Sequence, residues 1–172
     1  ETMLDTALAR AASWDQRARA AKVKIDQYGN TGQYAKAIEL GLATIREAGI
    51  RVPSAPSPWR VRLEAMRTKR LFRQHEERFR RLKPAHRPDA VRLVELFASL
   101  VGPAFFSNRD VFAVLSSRLV RHFYRHGAPE GAPAVYAGFG MVLTTLFGDF
   151  ADGFRVGQLA VQLAERSGNA VL

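Results

Sequence analysis

Residues 32–48 read GQYAKAIELGLATIREA, and residues 148–165 read GDFADGFRVGQLAVQLAE. Superposed without gaps at an offset of 116, Gly32 falls on Gly148, Tyr34 on Phe150, Ala35 on Ala151, Ala37 on Gly153, Ile38 on Phe154, Leu40 on Val156 and Gly41 on Gly157. That offset lies between three and four units of a helical-hairpin repeat of roughly 34 residues. The match predicts a repeat architecture in which each stretch is the second helix of a hairpin. The rival reading is two unrelated amphipathic helices.

Each matched position has a physical task in a hairpin. The leading Gly32 and Gly148 permit a tight turn at positive φ, and Tyr34 and Phe150, two residues on, are expected to pack back over it. Ala37/Gly153 and Gly41/Gly157 are four apart on one face and should let a neighbouring helix approach closely. A glycine inside a helix costs roughly 1 kcal/mol relative to alanine, so close packing is expected to offset it.

Working outward, residues 3–12 and 14–28 carry helical periodicity, with Ser13 as an N-cap and Ala18, Ala21, Ile25 and Tyr28 as the apolar stripe. Three prolines within RVPSAPSP make residues 50–57 a connector. Ser57 and Pro58 launch a helix through Trp59, Leu63 and Met66 toward Phe72; residues 74–87 read as a frayed end or a long loop. Pro88 and Asp89 start a mostly apolar helix over residues 90–101, which Gly102 and Pro103 should stop. Ser107 or Asn108 caps the next helix, Gly127 ends it, and helices over 132–147 and 150–166 follow, with Gly168 as C-cap.

The expectation is therefore an all-α fold of seven or eight helices, stacked as antiparallel hairpins in one domain over residues 1–172. Its parts are a hairpin at 14–49, a connector at 50–57, helices across 58–126 and a hairpin at 131–167. Helical periodicity begins almost at Glu1, so the chain reads as an excerpt of a longer polypeptide. Neither a signal peptide nor a membrane span is expected: the longest uncharged run, residues 131–148, holds Pro133 and leads into a repeat turn.

The chain has no cysteine, which excludes disulfides, thiol catalysis and thiolate metal sites. Net charge is +10, and residues 60–87 hold eleven Lys/Arg against three Glu, so most of the excess is concentrated there. That stretch reads either as an anion-binding face or as a solvated basic helix. His122 and His126 stand four apart, a chelating spacing, but no carboxylate lies nearby in sequence to complete a site. No nucleophile motif, kinase signature or carboxylate pair argues for catalysis. No catalytic, cofactor-binding or metal-binding residue is assigned.

The spacing of glycine, aromatic at +2 and small residue at +5 resembles the middle of a tetratricopeptide repeat, with Tyr28 and Thr144 where the first helix usually carries an aromatic. Thr144 departs from that pattern, and Gly41 and Gly157 stand where a large aromatic is common, so the copies are degenerate. Over nearly all its length the chain also resembles the helical-repeat region of large multidomain signalling proteins. The residues that carry this are VPSAPSPWRVRLEAMRTKR at 52–70, VYAGFGMVLTTLFGDFADGFRVGQLAVQLAER at 135–166 and GQYAKAIELGLATIREAGI at 32–50. In that family a Ser/Thr-kinase-like domain and an AAA-type ATPase precede the repeats, and GAF or PAS domains and often a histidine kinase of a two-component system follow.

The resemblance implies a cytoplasmic, non-catalytic module for protein interaction and signal relay. Its partner would be a neighbouring domain of the same chain or another signalling protein; the basic stretch, which from Arg73 on matches no pattern of that family, offers Arg67, Arg70, Arg73 and Arg78 for charge contacts. Tyr34, Gly41, Phe150 and Gly157 are structural in that reading. Two alternatives belong to other classes. One is a small-molecule sensor with an apolar pocket among Phe97, Phe105, Phe106, Phe112, Phe139 and Phe147, which read equally as core. The other is nucleic-acid binding through residues 60–87, where Trp59, Phe72 and Phe79 are few and packing accounts for them.

Overall fold

A computed structural model describes residues 3–82 and 87–166. Among them are eight helices and no strand: α1 (Met3–Arg10), α2 (Trp14–Asn30), α3 (Tyr34–Glu47), α4 (Pro58–Arg80), α5 (Pro88–Ser107), α6 (Arg109–His126), α7 (Ala132–Phe147) and α8 (Phe150–Arg166). The fold is all-α.

Local chemistry sets most helix ends. Ser13 Oγ accepts a hydrogen bond from Gln16 N at 3.3 Å and caps α2, and Asn108 Oδ1 accepts from Val111 N at 3.1 Å and caps α6. Pro58 and Pro88 stand in the first turns of α4 and α5, where a missing N–H costs nothing. Gly32 (φ 72) and Gly148 (φ 64) sit in the bends between α2 and α3 and between α7 and α8. In both bends the next residue donates back into the preceding helix, Gln33 N to Tyr28 O at 2.8 Å and Asp149 N to Leu143 O at 2.9 Å. The two matched stretches thus occupy equivalent places, each following a short antiparallel turn.

Between the end hairpins, packing does not follow chain order. The connector carries α4 away from α3 to lie against α6 and α8, while α5 runs through the middle against α2, α3, α6 and α7. Leu93, Leu96, Phe97 and Leu100 of α5 are fully buried there, beside Phe112, Leu115 and Phe123 of α6 and Val135, Tyr136 and Phe139 of α7. Helix α5 is long and apolar enough to cross a bilayer by length and composition alone; here its apolar faces are taken up by four neighbouring helices. The uncharged stretch around α7 forms a helix of 16 residues, also mostly buried.

Three expectations are corrected. Gly102 and Pro103 do not stop α5, which continues to Ser107. An internal proline costs about 3 kcal/mol, and burial of Pro103 and Ala104 offsets it; the Pro103 ring lies on α2, 3.5 Å from where a Cβ on Gly29 would stand. Residues 74–80, read as a frayed end or loop, are helical, with one kink at His75 (φ −133, ψ 30). Phe72 and Phe79 lie seven residues apart across that kink, yet their ring centroids are 5.5 Å apart and both are buried. Finally, Phe150 does not pack over its turn but is 71% exposed. Residues 83–86 of the basic stretch, and Gly168 with its expected cap, lie outside the described residues.

Candidate partner-binding faces on α4 and α8

Much of the basic charge of α4 is spent inside the molecule. Helices α4 and α8 lie side by side and parallel, with partners advancing together along both. Lys69 pairs with Asp149, Arg73 Nε with Asp152 Oδ2 at 2.7 Å, Glu76 with Arg155, and Arg80 with Gln162. Asp152 is only 1% exposed and is also reached by Lys69 at 3.4 Å and Arg155 at 3.5 Å. Asp149 caps α8 through Asp152 N (3.2 Å), and the Lys69 hydrogen bond holds its carboxyl below the usual carboxylate range. This ladder supplies the tertiary support that keeps residues 74–80 helical despite their polar character.

A second charged junction joins α4 to α6. The buried Glu64 carboxylate takes Arg118 Nη2 at 2.6 Å and also pairs with Arg121, whose Nη1 donates to Thr68 Oγ1 at 2.5 Å. Burial pushes the Glu64 carboxyl up, but the two arginine hydrogen bonds outweigh it and hold the group below its usual range. Thr68 Oγ1 in turn donates to main-chain oxygens of Glu64 and Ser117. Every charged group of this junction thus has a partner, which is the condition for burying it at tolerable cost, while the buried Ser117 hydroxyl has none among the described residues.

The four arginines expected to meet a partner separate into two kinds. Arg67 and Arg70 are exposed and have no ion-pair partner among the described residues. Arg73 is committed to Asp152, and Arg78 lies over the Tyr124 ring, 4.3 Å from its centroid. The four therefore do not act as one free charged row.

The positions matched between the two stretches divide in a more informative way. On α3, Ile38, Gly41 and Ile45 are buried, and α5 lies on this face with Leu100 directly over Gly41. A Cβ on Gly41 would stand 2.6 Å from Leu100 Cδ1. Ala37 is fully buried, and a Cβ on its counterpart Gly153 would stand within 3.0 Å of both Thr144 Cγ2 and Gly140 O. Those three small residues are notches, as expected. Gly157 is not: a Cβ there would meet nothing within 4 Å. In that hairpin the second notch beside Gly153 is Gly140 of α7, whose Cβ would stand 3.0 Å from Gly153 O and 3.5 Å from Gly157 N.

The same offset of 116 that pairs Gly41 with Gly157 also pairs Ile38 with Phe154 and Ile45 with Val161. Phe150, Phe154, Gly157 and Val161 recur at intervals of four, three and four, forming one narrow stripe along α8. Phe154 is 65% and Val161 53% exposed. The face that α5 covers on α3 is thus open on α8, where instead the flank bearing Asp152 and Arg155 is covered by α4. Periodicity alone could not distinguish the two, because both stripes have the same spacing and apolar character.

Of the remaining candidates, Phe97, Phe112 and Phe139 are core residues. Phe97 stacks on Phe112 with centroids 6.0 Å apart, and a Cβ on Gly138 would stand 2.9 Å from the Phe97 ring. Phe139 is fully buried, Phe105 and Phe147 are half-buried at the core edge, and Phe106 is 74% exposed. His122 and His126 lie with ring centroids 4.6 Å apart, and no cluster of three metal-ligating groups occurs among the described residues. The chain matches no protein-family model, no curated protein and no solved structure.

Proposed function

We propose that this chain is a non-catalytic protein-interaction module, and that the exposed stripe of α8 receives an apolar helix from a protein partner. What supports this is the inequality of the two repeat copies. Ile38, Gly41 and Ile45 of α3 are buried with Leu100 of α5 set over Gly41, while on α8 Phe154 and Val161 are exposed and the space over Gly157 is open. The internal copy thus indicates the chemistry of the occupant: an amphipathic helix that sets a leucine-sized side chain over Gly157 as Leu100 is set over Gly41. Removing two phenylalanines and a valine from water is worth several kcal/mol before the costs of association.

In the setting that the sequence resemblance implies, the partner helix belongs to a neighbouring domain or to another signalling protein in the cytoplasm. Because α8 is tied to α4 by charge and to α7 by close packing, a helix docking on it would bias both, which is the physical basis of a relay. The experiment is selection of binders from a displayed library of amphipathic helices, followed by titration of an enriched peptide. The account expects peptides with a leucine stripe that bind the wild-type chain and are lost on Phe154→Glu. Enriched helices indifferent to Phe154→Glu would contradict it. So would a wild-type dimer in sedimentation that Phe154→Glu disperses, because the face would then belong to a second copy.

A further inference from the structure

Six arginines from two stretches of the chain, residues 46–60 and 118–125, line one groove on a different side of the molecule. Arg46 stands in the last turn of α3, Arg51 in the connector, Arg60 in the first turn of α4, and Arg118, Arg121 and Arg125 on one face of α6. Arg46, Arg51, Arg60 and Arg118 line a cleft of about 510 Å³ with Val52 and Pro53. Arg51 and Arg118 also line a second cleft of about 230 Å³ together with Arg121 and Arg125, so the two clefts adjoin across these shared side chains. Glu64 is the one carboxylate in their walls, and it is already bound by Arg118 and Arg121.

We propose that this groove is a binding site for a small, phosphate-dense anion: a short polyphosphate chain or a multiply phosphorylated small molecule. Guanidinium groups present paired N–H donors that match phosphate oxygens, and they stay charged at any physiological pH. Arg118 and Arg121 are held in place by Glu64 and Thr68, so a ligand meeting them orders little that was mobile. Burial lowers the affinity of Arg121 for its proton, and the charges of Arg118 and Arg125 add to this; a bound anion would relieve that repulsion. Neither cleft has an aromatic side chain other than His122 in its wall, so there is little surface on which bases could stack. Phosphate charge, rather than a base or a long apolar body, is what such walls can recognise. Only Arg60 belongs to the basic segment 60–87, and the site is independent of the α8 stripe.

The test is isothermal titration of the intact chain with tripolyphosphate at near-physiological salt. Saturable binding of one molecule per chain is expected. The double variant Arg51→Glu/Arg60→Glu should weaken it by at least about tenfold. Both side chains are exposed and have no ion-pair partner among the described residues, so the variant should keep its helical circular dichroism. Arg67→Glu/Arg70→Glu, equal in charge change but lining neither cleft, should alter affinity by less than about threefold. Adenosine triphosphate should bind about as well as tripolyphosphate. Absence of saturable binding, an equal loss in the Arg67/Arg70 variant, or much tighter binding of a single-stranded oligonucleotide than of tripolyphosphate would each overturn the proposal.

Discussion

Leu100 of α5 lies over Gly41 of α3 so closely that three atoms of its side chain fall within 2.9 Å of where a Cβ would be. Leu100 is itself 1% exposed, so it cannot simply swing away. Gly41→Ala gains roughly 1 kcal/mol of helix propensity but forces a packed leucine to shift, a penalty of roughly 1–3 kcal/mol. The net expectation is destabilisation of about 1 kcal/mol in denaturant unfolding. Gly157→Ala, at the matched position with open space around it, should instead stabilise the isolated chain by roughly 0.5–1 kcal/mol. Comparing the two variants tests whether the repeat positions differ as described.

Glu64→Gln should lower stability at neutral pH by roughly 1.5–3 kcal/mol, since it removes the charge from two arginine hydrogen bonds. The folded-state pKa of Glu64 is depressed below its ordinary 4.5. Its contribution is therefore complete above that ordinary value and is lost as pH falls through the lower folded value. Asp149 and Glu76 have the same sign. Wild-type stability should accordingly fall as the solution is acidified below about pH 4.5, and the Glu64→Gln curve should be flatter over that window. Urea midpoints measured between neutral and acid pH check this.

Asp152 gathers Lys69, Arg73 and Arg155 at the junction of α4 and α8. Its removal leaves three cations that are partly solvated, so Asp152→Ala should cost roughly 1.5–3 kcal/mol rather than the larger sum of a fully buried network. The loss should appear first as faster amide exchange in the last two turns of α4. Arg81→Ala, which breaks an exposed pair with Glu77, should change stability by less than about 0.5 kcal/mol.

Tyr136 is fully buried on α7, and its hydroxyl has no hydrogen-bond partner among the described residues. Burial also drives its phenol pKa well above the ordinary value, so it remains neutral at accessible pH. Tyr136→Phe keeps the edge-on contact with Phe79, whose centroid is 6.1 Å away, and discards the unsatisfied group. Thermal unfolding should be unchanged or shifted upward, corresponding to as much as about 1–2 kcal/mol.

Signals carried by neighbouring residues were readable before the structure. The bends at Gly32 and Gly148, the caps at Ser13 and Asn108 and the end of α6 at Gly127 each depend on a few residues in a row. The persistence of α4 to Arg80 was not, because Asp149, Asp152 and Arg155 lie about 80 positions away. Pro103 misled for a related reason: the packing that offsets it comes from α2. Likewise the match between the two stretches paired Ile38 with Phe154 and Gly41 with Gly157 but could not show which of them is covered, which depends on α5 lying beside α3. The arginine groove left no trace in composition, since it joins residues 46–60 to residues 118–125.

Titration of a selected leucine-stripe helix into isotopically labelled chain, followed by amide and methyl chemical shifts, tests the interaction reading most directly. The account predicts that the shifts concentrate on Phe150, Phe154, Gly157 and Val161, and that they vanish in Phe154→Glu. Shifts centred instead on α2 and α5, or a helix that binds with α8 unperturbed, would contradict it.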